Sequence, residues 1–165
     1  MPSSKPPSAP VGPPSDTPPP PVAAAKQAVA VAGPRTAPAA GSRVLVADDN
    51  AASRELVRAL LRSVGHRVDL AINGAEAVAA ASGGGYDLVL MDVRMPVQDG
   101  ISATRAIRAL DGPAARVPII ALSANILARQ IETYRASGMD DHIGKPIATG
   151  ELLAKVARWS GLARP

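Results

Sequence analysis

The chain has 165 residues, a formal net charge of +4 and no cysteine, which excludes disulfide bonds and thiolate metal sites. No apolar run approaches the length of a membrane span, and the N-terminus lacks the apolar core of a signal peptide, so we expect a soluble cytoplasmic protein. The arginines recur at helical spacing and phenylalanine is absent, so the positive charge indicates solvated helix faces rather than a nucleic-acid surface.

The composition changes near residue 41. Twelve of the 17 prolines lie before that point, in a segment rich in alanine and serine that has no apolar periodicity. We therefore interpret residues 1–41 as a disordered tail or linker and residues 42–165 as one folded domain. The tail is predicted to be a plain spacer, and a tether or ligand for a proline-reading module is the alternative.

Five predicted strands alternate with five predicted helices along the rest of the chain. The first strand, Arg43 to Ala47, stops at Asp48-Asp49-Asn50, and a helical stripe follows it as far as Gly65. Further strands are predicted at Arg67 to Ala71, Leu88 to Met91, Val117 to Leu122 and Asp141 to Gly144. The helices are predicted from these sets: Leu56, Val57, Leu60, Leu61 and Val64; Ala75 to Ala81; Ile101, Thr104, Ile107 and Leu110; Ile126, Leu127, Gln130, Ile131 and Tyr134; Leu152, Leu153, Val156, Ala157 and Trp159.

This alternation predicts an α/β fold, a doubly wound five-stranded parallel sheet with five helices, because parallel neighbours need crossover connections. Ligands of such sheets bind beyond the carboxyl ends of the strands. Polar residues follow four of the predicted strands, and they are Asp48 with Asp49, Asp92, Ser123 and Lys145. We expect these to converge on one edge, whereas Asp140 and Asp141 come at the start of the last strand and should lie elsewhere.

Three carboxylates at close quarters repel one another, and a hard divalent cation with oxygen ligands relieves that repulsion. Mg²⁺ fits best, since it is often shared between a few carboxylates and a phosphoryl group. Lys145 would offer that group a positive charge, and Ser123 a hydroxyl donor. The chain has no Gly-x-x-x-x-Gly-Lys-Ser/Thr loop, and Gly83 to Gly85 follow a helix. The residues thus predict a phosphoryl-transfer site without a nucleotide-binding loop.

Four motifs occur in order at these elements, and they are Val-Leu-Val-Ala-Asp48-Asp49-Asn50, Asp87-Leu-Val-Leu-Met-Asp92-Val-Arg-Met-Pro96-Val-Gln-Asp-Gly100, Ile-Ile-Ala-Leu-Ser123-Ala-Asn125 and Gly138-Met-Asp-Asp-His-Ile-Gly-Lys145-Pro146. On these motifs, the segment from Arg43 to Leu162 resembles the receiver domain of two-component response regulators, especially the receivers of hybrid histidine kinases. The resemblance implies a flavodoxin-like receiver fold with strand order 2-1-3-4-5.

The resemblance also implies a phosphoacceptor and a metal site. Asp92 would accept a phosphoryl group from the phosphohistidine of a histidine kinase or a histidine phosphotransfer domain. Mg²⁺ would be held by Asp49, by Asp92 and by the backbone carbonyl of Arg94. Asp48 would act mainly through water. Arg94 and Asn125 border the site and are expected to modulate the lifetime of the acyl phosphate.

Further roles follow from the resemblance on the phosphoryl side of the site. Lys145 would pair with a phosphoryl oxygen, its bond to Pro146 would be cis, and Ser123 would close over the phosphoryl group. In the family, an aromatic residue three positions before the lysine moves inward on phosphorylation. This movement changes the surface formed by the fourth helix, the fifth strand and the fifth helix, and the changed surface serves partner docking or onward transfer of the phosphoryl group. This chain has His142 at that position. His142 would either act as the switch residue or simply pack on the last strand, and both alternatives stay open.

Two other functions stay open. A magnesium-dependent phosphatase that forms an aspartyl phosphate would carry Asp-x-Asp after the strand, where this chain has Arg94 in the second acidic position. An unphosphorylated pseudo-receiver is disfavoured because all the expected site residues are present. We expect no enzymatic activity except that the domain assists its own phosphorylation and dephosphorylation. We also expect no output domain after the last helix and no direct contact with nucleic acid or membrane. The domain would act alone or as the cytosolic part of a membrane sensor kinase.

Overall fold

Strands and helices alternate through the part of the chain that the computed structural model describes, which is Ser4 and residues 41–162. The strands are β1 (Arg43–Ala47), β2 (Arg67–Ala71), β3 (Leu88–Asp92), β4 (Ile119–Ser123) and β5 (Asp141–Gly144). The helices are α1 (Ala51–Ser63), α2 (Gly74–Ser82), α3 (Gly100–Arg108), α4 (Ala128–Ser137) and α5 (Thr149–Leu162), with a 3-10 helix at Gly112–Arg116. Apart from Ser4 and Gly41, the predicted tail lies outside the described residues.

All neighbouring strands are parallel and follow the order β2-β1-β3-β4-β5, which confirms the predicted topology. Every residue of β3 and of β4 is buried, because helices cover both faces of a parallel sheet. Successive side chains of a strand point to opposite faces, so the core divides into two clusters. Leu45 and Met91 belong to the cluster under α2, α3 and α4, whereas Val46 and Leu90 belong to the cluster under α1 and α5.

Side-chain caps fix where three of the helices begin. Asn50 accepts a hydrogen bond from the Ser53 amide at the start of α1, and Asp99 accepts one from the Ser102 amide at the start of α3. Asn73 caps α2 in the same way. Each cap satisfies a backbone donor that the first turn of a helix leaves without a partner. The polar residues that follow the strands therefore also determine where the next helices start.

The structure differs from the predicted stripes at several residues. Ile126 and Leu127 precede α4 and are 53% and 69% exposed, so assigning them to a helical core stripe was wrong. The Asn125 side chain accepts a hydrogen bond from the Leu127 amide, and this local turn competes with helix formation. Leu56 and Val64 were also assigned to a core stripe, yet both are about half exposed.

The fourth strand begins later than predicted. It runs from Ile119 instead of Val117, and Val117 closes the preceding 3-10 helix. Pro118 lacks the N–H that a strand residue donates, and its carbonyl accepts from Val89 of β3. No helix in residues 41–162 has the length and the apolar character that crossing a lipid bilayer requires.

Charged side chains join the elements at the amino ends of the strands. The Arg43 guanidinium lies 2.7 Å from Asp69 Oδ2 and 4.4 Å from the centroid of the Tyr86 ring. The Tyr86 hydroxyl donates to the same carboxylate, and burial together with this bond raises the pKa of Tyr86 to about 12. Arg108 forms an ion pair with Asp140, at 2.9 Å. These contacts lie at the end of the sheet opposite to the predicted site.

Candidate functional site

Three carboxylates converge where β1 and β3 end. One carboxylate oxygen from each of Asp48, Asp49 and Asp92 lies within 4.8 Å of the other two. Asp48 is completely buried, Asp92 is 5% exposed, and Asp49 is open to solvent. Oxygen donors at this spacing suit a hard divalent cation that keeps several waters, so the donor set fits Mg²⁺.

Lys145 reaches into this cluster from the end of β5. Its ammonium nitrogen lies 2.9 Å from Asp48 Oδ2 and 3.2 Å from Asp92 Oδ2. Burial opposes the charge of Lys145, but the bonds to both carboxylates raise its pKa above the ordinary value. The peptide bond between Lys145 and Pro146 is cis. A lysine and two buried carboxylates are therefore in direct contact in this site.

Asp48 is held ionised by the first turn of α1. Its carboxylate accepts hydrogen bonds from Ser53 Oγ at 2.7 Å, from the Asn50 amide at 2.9 Å and from Lys145. Burial would raise the pKa of Asp48, and these three donors outweigh it and lower that pKa. Ser53 was not among the residues predicted for the site. Its position three residues after the capping Asn50 is the signal that could have indicated it.

Asp92 accepts fewer hydrogen bonds than Asp48. Its Oδ1 accepts one hydrogen bond from the Arg94 amide at 3.1 Å. Burial, with a further contribution from the charge of Asp48, raises the pKa of Asp92 to about 6, although Lys145 and the Arg94 amide act in the opposite direction. The start of α3 packs closely against this strand end, since a Cβ on Gly100 would lie 2.1 Å from the Asp92 carbonyl oxygen.

Ser123 occupies the end of β4 and bonds to Tyr134, which was predicted only as part of the apolar stripe of a helix. Ser123 Oγ lies 2.7 Å from the Tyr134 hydroxyl, and both groups are buried. Ser123 Oγ also lies 3.0 Å from the amide nitrogen and 3.0 Å from the carbonyl oxygen of Asn125. Tyr134 and Gln130 line the same cleft as the predicted residues Asp49, Asp92, Arg94, Ser123, Asn125 and Lys145.

His142 lies on β5, with its Cα paired to Ala121 of β4, and is not among the residues that line this cleft. Its side chain is 29% exposed, and its carbonyl accepts a hydrogen bond from Lys155 of α5. The ring lines a separate groove on the α4 and β5 face, together with Tyr134 and Arg135. The role of His142 as a switch stays a prediction.

The acids at the start of β5 take no part in the cluster. Asp140 pairs with Arg108, and Asp141 accepts hydrogen bonds from Lys155 at 3.0 Å and from the Trp159 indole at 2.8 Å. Burial opposes ionisation of Asp141, but the Trp159, His142 and Lys155 donors lower its pKa. Asp141 therefore joins β5 to α5, whereas Asp140 joins the start of β5 to the end of α3.

Comparison with known proteins identifies the family. A family model described as response regulator receiver domain matches residues 44–157. Sensor protein GacS of Pseudomonas syringae pv. syringae is 44% identical over 123 residues, which cover 73% of this chain and 14% of that protein. The chain thus spans only a small part of this relative. The predicted resemblance to receivers found in sensor histidine kinases is confirmed.

Solved structures agree in fold. The receiver domain of sensor histidine kinase PA1611 from Pseudomonas aeruginosa PAO1 is 45% identical with a TM-score of 0.69, covering 74% of this chain and 99% of that one. That structure contains a magnesium ion coordinated in the active site cleft. A chain in the co-crystal structure of the Saccharomyces cerevisiae phosphotransfer protein Ypd1 with the receiver domain of Ssk1 is 29% identical, with a TM-score of 0.68, covering 74% of this chain and 90% of that one.

Proposed function

Because this chain belongs to the family of response regulator receiver domains, we propose that it accepts a phosphoryl group on Asp92 as one step of a two-component phosphorelay. The observation that carries this proposal is the position of the Lys145 ammonium, 2.9 Å from Asp48 Oδ2 and 3.2 Å from Asp92 Oδ2. A buried carboxylate beside a lysine, in an open cleft with further acids, is the arrangement that a phosphoacceptor requires.

In the proposed reaction, an Asp92 oxygen attacks phosphorus in line. A phosphorus–oxygen bond forms, and the bond between phosphorus and the imidazole nitrogen of a partner's phosphohistidine breaks. Lys145 would pair with a phosphoryl oxygen, and Ser123 would donate its hydroxyl proton to another. Because the transferring group spreads its negative charge over its oxygens, correct positioning by these two side chains contributes directly to the rate.

We propose that the metal is Mg²⁺, held by Asp49, Asp92 and the Arg94 carbonyl, with Asp48 acting mainly through water. The clustered carboxylate oxygens support this assignment, as does the magnesium ion in the PA1611 receiver domain. When bound, Mg²⁺ neutralises part of the charge shared by the carboxylates and the phosphoryl group. The exposed position of Asp49 leaves room for coordinated water beside it.

The partner is proposed to be a histidine kinase or a histidine phosphotransfer domain in the cytoplasm. The similarity to GacS and to the chain in the Ypd1–Ssk1 complex supports that choice of partner. The phosphorylated domain would dock through the face formed by α4, β5 and α5, or pass the phosphoryl group on. It would also assist hydrolysis of its own acyl phosphate, with His142 as a candidate switch residue on the docking face.

The test uses a small phosphodonor so that no kinase has to be known. The full chain is incubated with acetyl phosphate and Mg²⁺, and intact mass spectrometry measures the gain of one phosphoryl group. The gain should disappear in Asp92→Asn and persist in Asp111→Asn, which alters an exposed acid whose side chain makes no capping bond. Equal phosphorylation of Asp92→Asn and the parent would refute the proposal.

Two further measurements address the alternatives and the partner. A phosphatase would turn over an external phosphoester with Mg²⁺, and we expect no such turnover because Arg94 stands in the second acidic position of that enzyme pattern. A pseudo-receiver would gain no phosphoryl group from acetyl phosphate at all. Phosphotransfer profiling against a panel of purified histidine kinases then identifies the donor by the fastest transfer to Asp92.

A further inference from the structure

The Tyr134 hydroxyl contacts the residue that is proposed to move on phosphorylation. It lies 2.7 Å from Ser123 Oγ and also donates to the Asn125 carbonyl at 3.0 Å. The Tyr134 side chain is 3% exposed and packs in the core beneath α4. A buried hydroxyl is costly to leave without a partner, so these two bonds help to fix the position of the ring.

The Tyr134 hydroxyl donates its single proton to the Asn125 carbonyl, so in the bond between Ser123 and Tyr134 the Ser123 hydroxyl is left as the donor. A serine hydroxyl has one proton to donate and two lone pairs to accept with. Here the oxygen accepts from the Asn125 amide and lies within bonding distance of both the Tyr134 hydroxyl and the Asn125 carbonyl. Donation to a phosphoryl oxygen on Asp92 would redirect the only proton that Ser123 has. The existing set of bonds would then have to rearrange.

From this geometry we infer that Tyr134 is a positioning residue for Ser123: its hydroxyl stabilises the unphosphorylated arrangement, and phosphorylation of Asp92 opens the bond between them. This inference rests on the proposed function. Tyr134 lines the acceptor cleft and also the groove on the α4 and β5 face, beside His142. Release of its hydroxyl therefore changes the contacts of α4 directly, without a movement of the β5 residue.

The chain offers a clean spectroscopic test because it contains two tyrosines and no phenylalanine. Uniform labelling with fluorotyrosine gives one fluorine signal for Tyr134 and one for Tyr86, and the two Tyr→Phe variants assign them. Beryllofluoride with Mg²⁺ serves as the probe, since it imitates a phosphoryl group on an aspartate. Its own fluorine signals report occupancy of the site in the same spectrum.

The Tyr134 signal should shift as beryllofluoride binds, and the Tyr86 signal should stay in place. Tyr86 is the matched control because its hydroxyl also bonds to a side chain, Asp69, but at the amino end of the sheet. Bound beryllofluoride with an unmoved Tyr134 signal would overturn this inference and leave the proposed function intact. Failure of beryllofluoride to bind the parent chain would overturn both.

Affinity provides the readout that a purely structural tyrosine would not change. Tyr134→Phe keeps the buried ring but removes the bond that stabilises the unphosphorylated arrangement, so beryllofluoride should bind about twofold to tenfold more tightly. Tyr86→Phe should leave that affinity unchanged. An unchanged or weakened affinity in folded Tyr134→Phe would overturn the inference. If that variant does not fold, the shift of the Tyr134 signal in the parent chain still decides the question.

Discussion

The Lys145 ammonium lies 3.2 Å from Asp92 Oδ2, so a cation contacts the carboxylate that is proposed to accept the phosphoryl group. The same ammonium is bonded to Asp48, which is completely buried. In a domain without metal, the Lys145 ammonium therefore offsets part of the negative charge of two buried carboxylates, Asp48 and Asp92. The stability of the metal-free domain should therefore depend on residues that are also proposed to serve phosphoryl transfer.

Replacing Lys145 with Met should destabilise the metal-free domain by about 2 to 4 kcal/mol, because breaking a buried ion pair leaves charge without compensation. Chemical denaturation in the presence of a chelator measures the change. Arg105→Met is the matched control, since Arg105 is an exposed cation on α3. An equal loss of stability in the two variants would contradict the role assigned to Lys145.

Replacing Asp92 with Asn should stabilise the metal-free domain and weaken its further stabilisation by Mg²⁺. In the metal-free domain, we expect a gain of about 1 to 2 kcal/mol, because a buried carboxylate near Asp48 is lost. For the parent, Mg²⁺ at 100 times its Kd should add about 2.7 kcal/mol. The variant, which lacks one ligand, should gain less. Thermal unfolding of the parent and the variant, each with Mg²⁺ and with chelator, measures the four stabilities. An equal gain in stability from Mg²⁺ in the two proteins would count against Asp92 as a ligand.

Replacing Arg108 with Lys should destabilise the amino end of the sheet by about 2 to 4 kcal/mol, since lysine lacks the forked donors of arginine. Arg108 donates to the carbonyl groups of Gly138, Ala115 and Val117 at 2.9, 2.9 and 2.7 Å, and one of its terminal nitrogens also pairs with Asp140. Chemical denaturation gives the loss, with Arg105→Lys as control. Beryllofluoride affinity should stay unchanged, so a large fall in that affinity would refute this assignment.

The Asp141→Asn variant should lose stability in a pH-dependent way. The folded-state pKa of Asp141 lies below its ordinary value of 3.8, so the ionised group stabilises the fold above that pH. We expect a loss of about 1 to 2 kcal/mol at pH 7 that shrinks as the pH falls below 3.8, where Asp141 of the unfolded parent takes up a proton, and disappears below the lower folded-state pKa. Thermal unfolding of both proteins across this range measures it. A loss that does not vary with pH would contradict the prediction.

Removing the Arg94 side chain should shorten the lifetime of the acyl phosphate, because a long exposed side chain at the mouth of the cleft would no longer limit the approach of water. The decay of phosphorylated Arg94→Ala, followed by intact mass spectrometry after removal of the donor, gives the rate. Asn125→Ala is compared in the same assay, since Asn125 borders the same cleft. A lifetime equal to that of the parent would remove Arg94 from this role.

The sequence was sufficient for the order of the strands because β1, β3 and β4 are short apolar runs that stop at charged or small polar residues. Arg43 to Ala47 and Arg67 to Ala71 were predicted with the bounds that the structure has. The start of α4 was predicted wrongly because apolar periodicity does not register the hydrogen bond between the Asn125 side chain and the Leu127 amide. A local turn of this kind overrides a short stretch of the apolar pattern.

For the site, the sequence predicted which residue types meet but not how they bond. The order of strand ends placed Asp48, Asp92 and Lys145 together, because all carboxyl ends of a parallel sheet face one edge. The bond between Ser123 and Tyr134 was missed, since periodicity counts a tyrosine as apolar and gives no direction for its hydroxyl. That direction depends on the rotation of α4 against the sheet, which only tertiary packing determines.

The two ends of the sheet carry different groups of charged residues. Arg43 and Arg108 hold the amino ends, and the carboxylates with Lys145 occupy the carboxyl ends. Strands of five residues separate these groups by about 15 Å, a distance at which mutational effects are usually additive. An engineer could therefore improve thermostability from the amino end, through better ion pairs or packing, and keep the signalling chemistry at the other end unchanged.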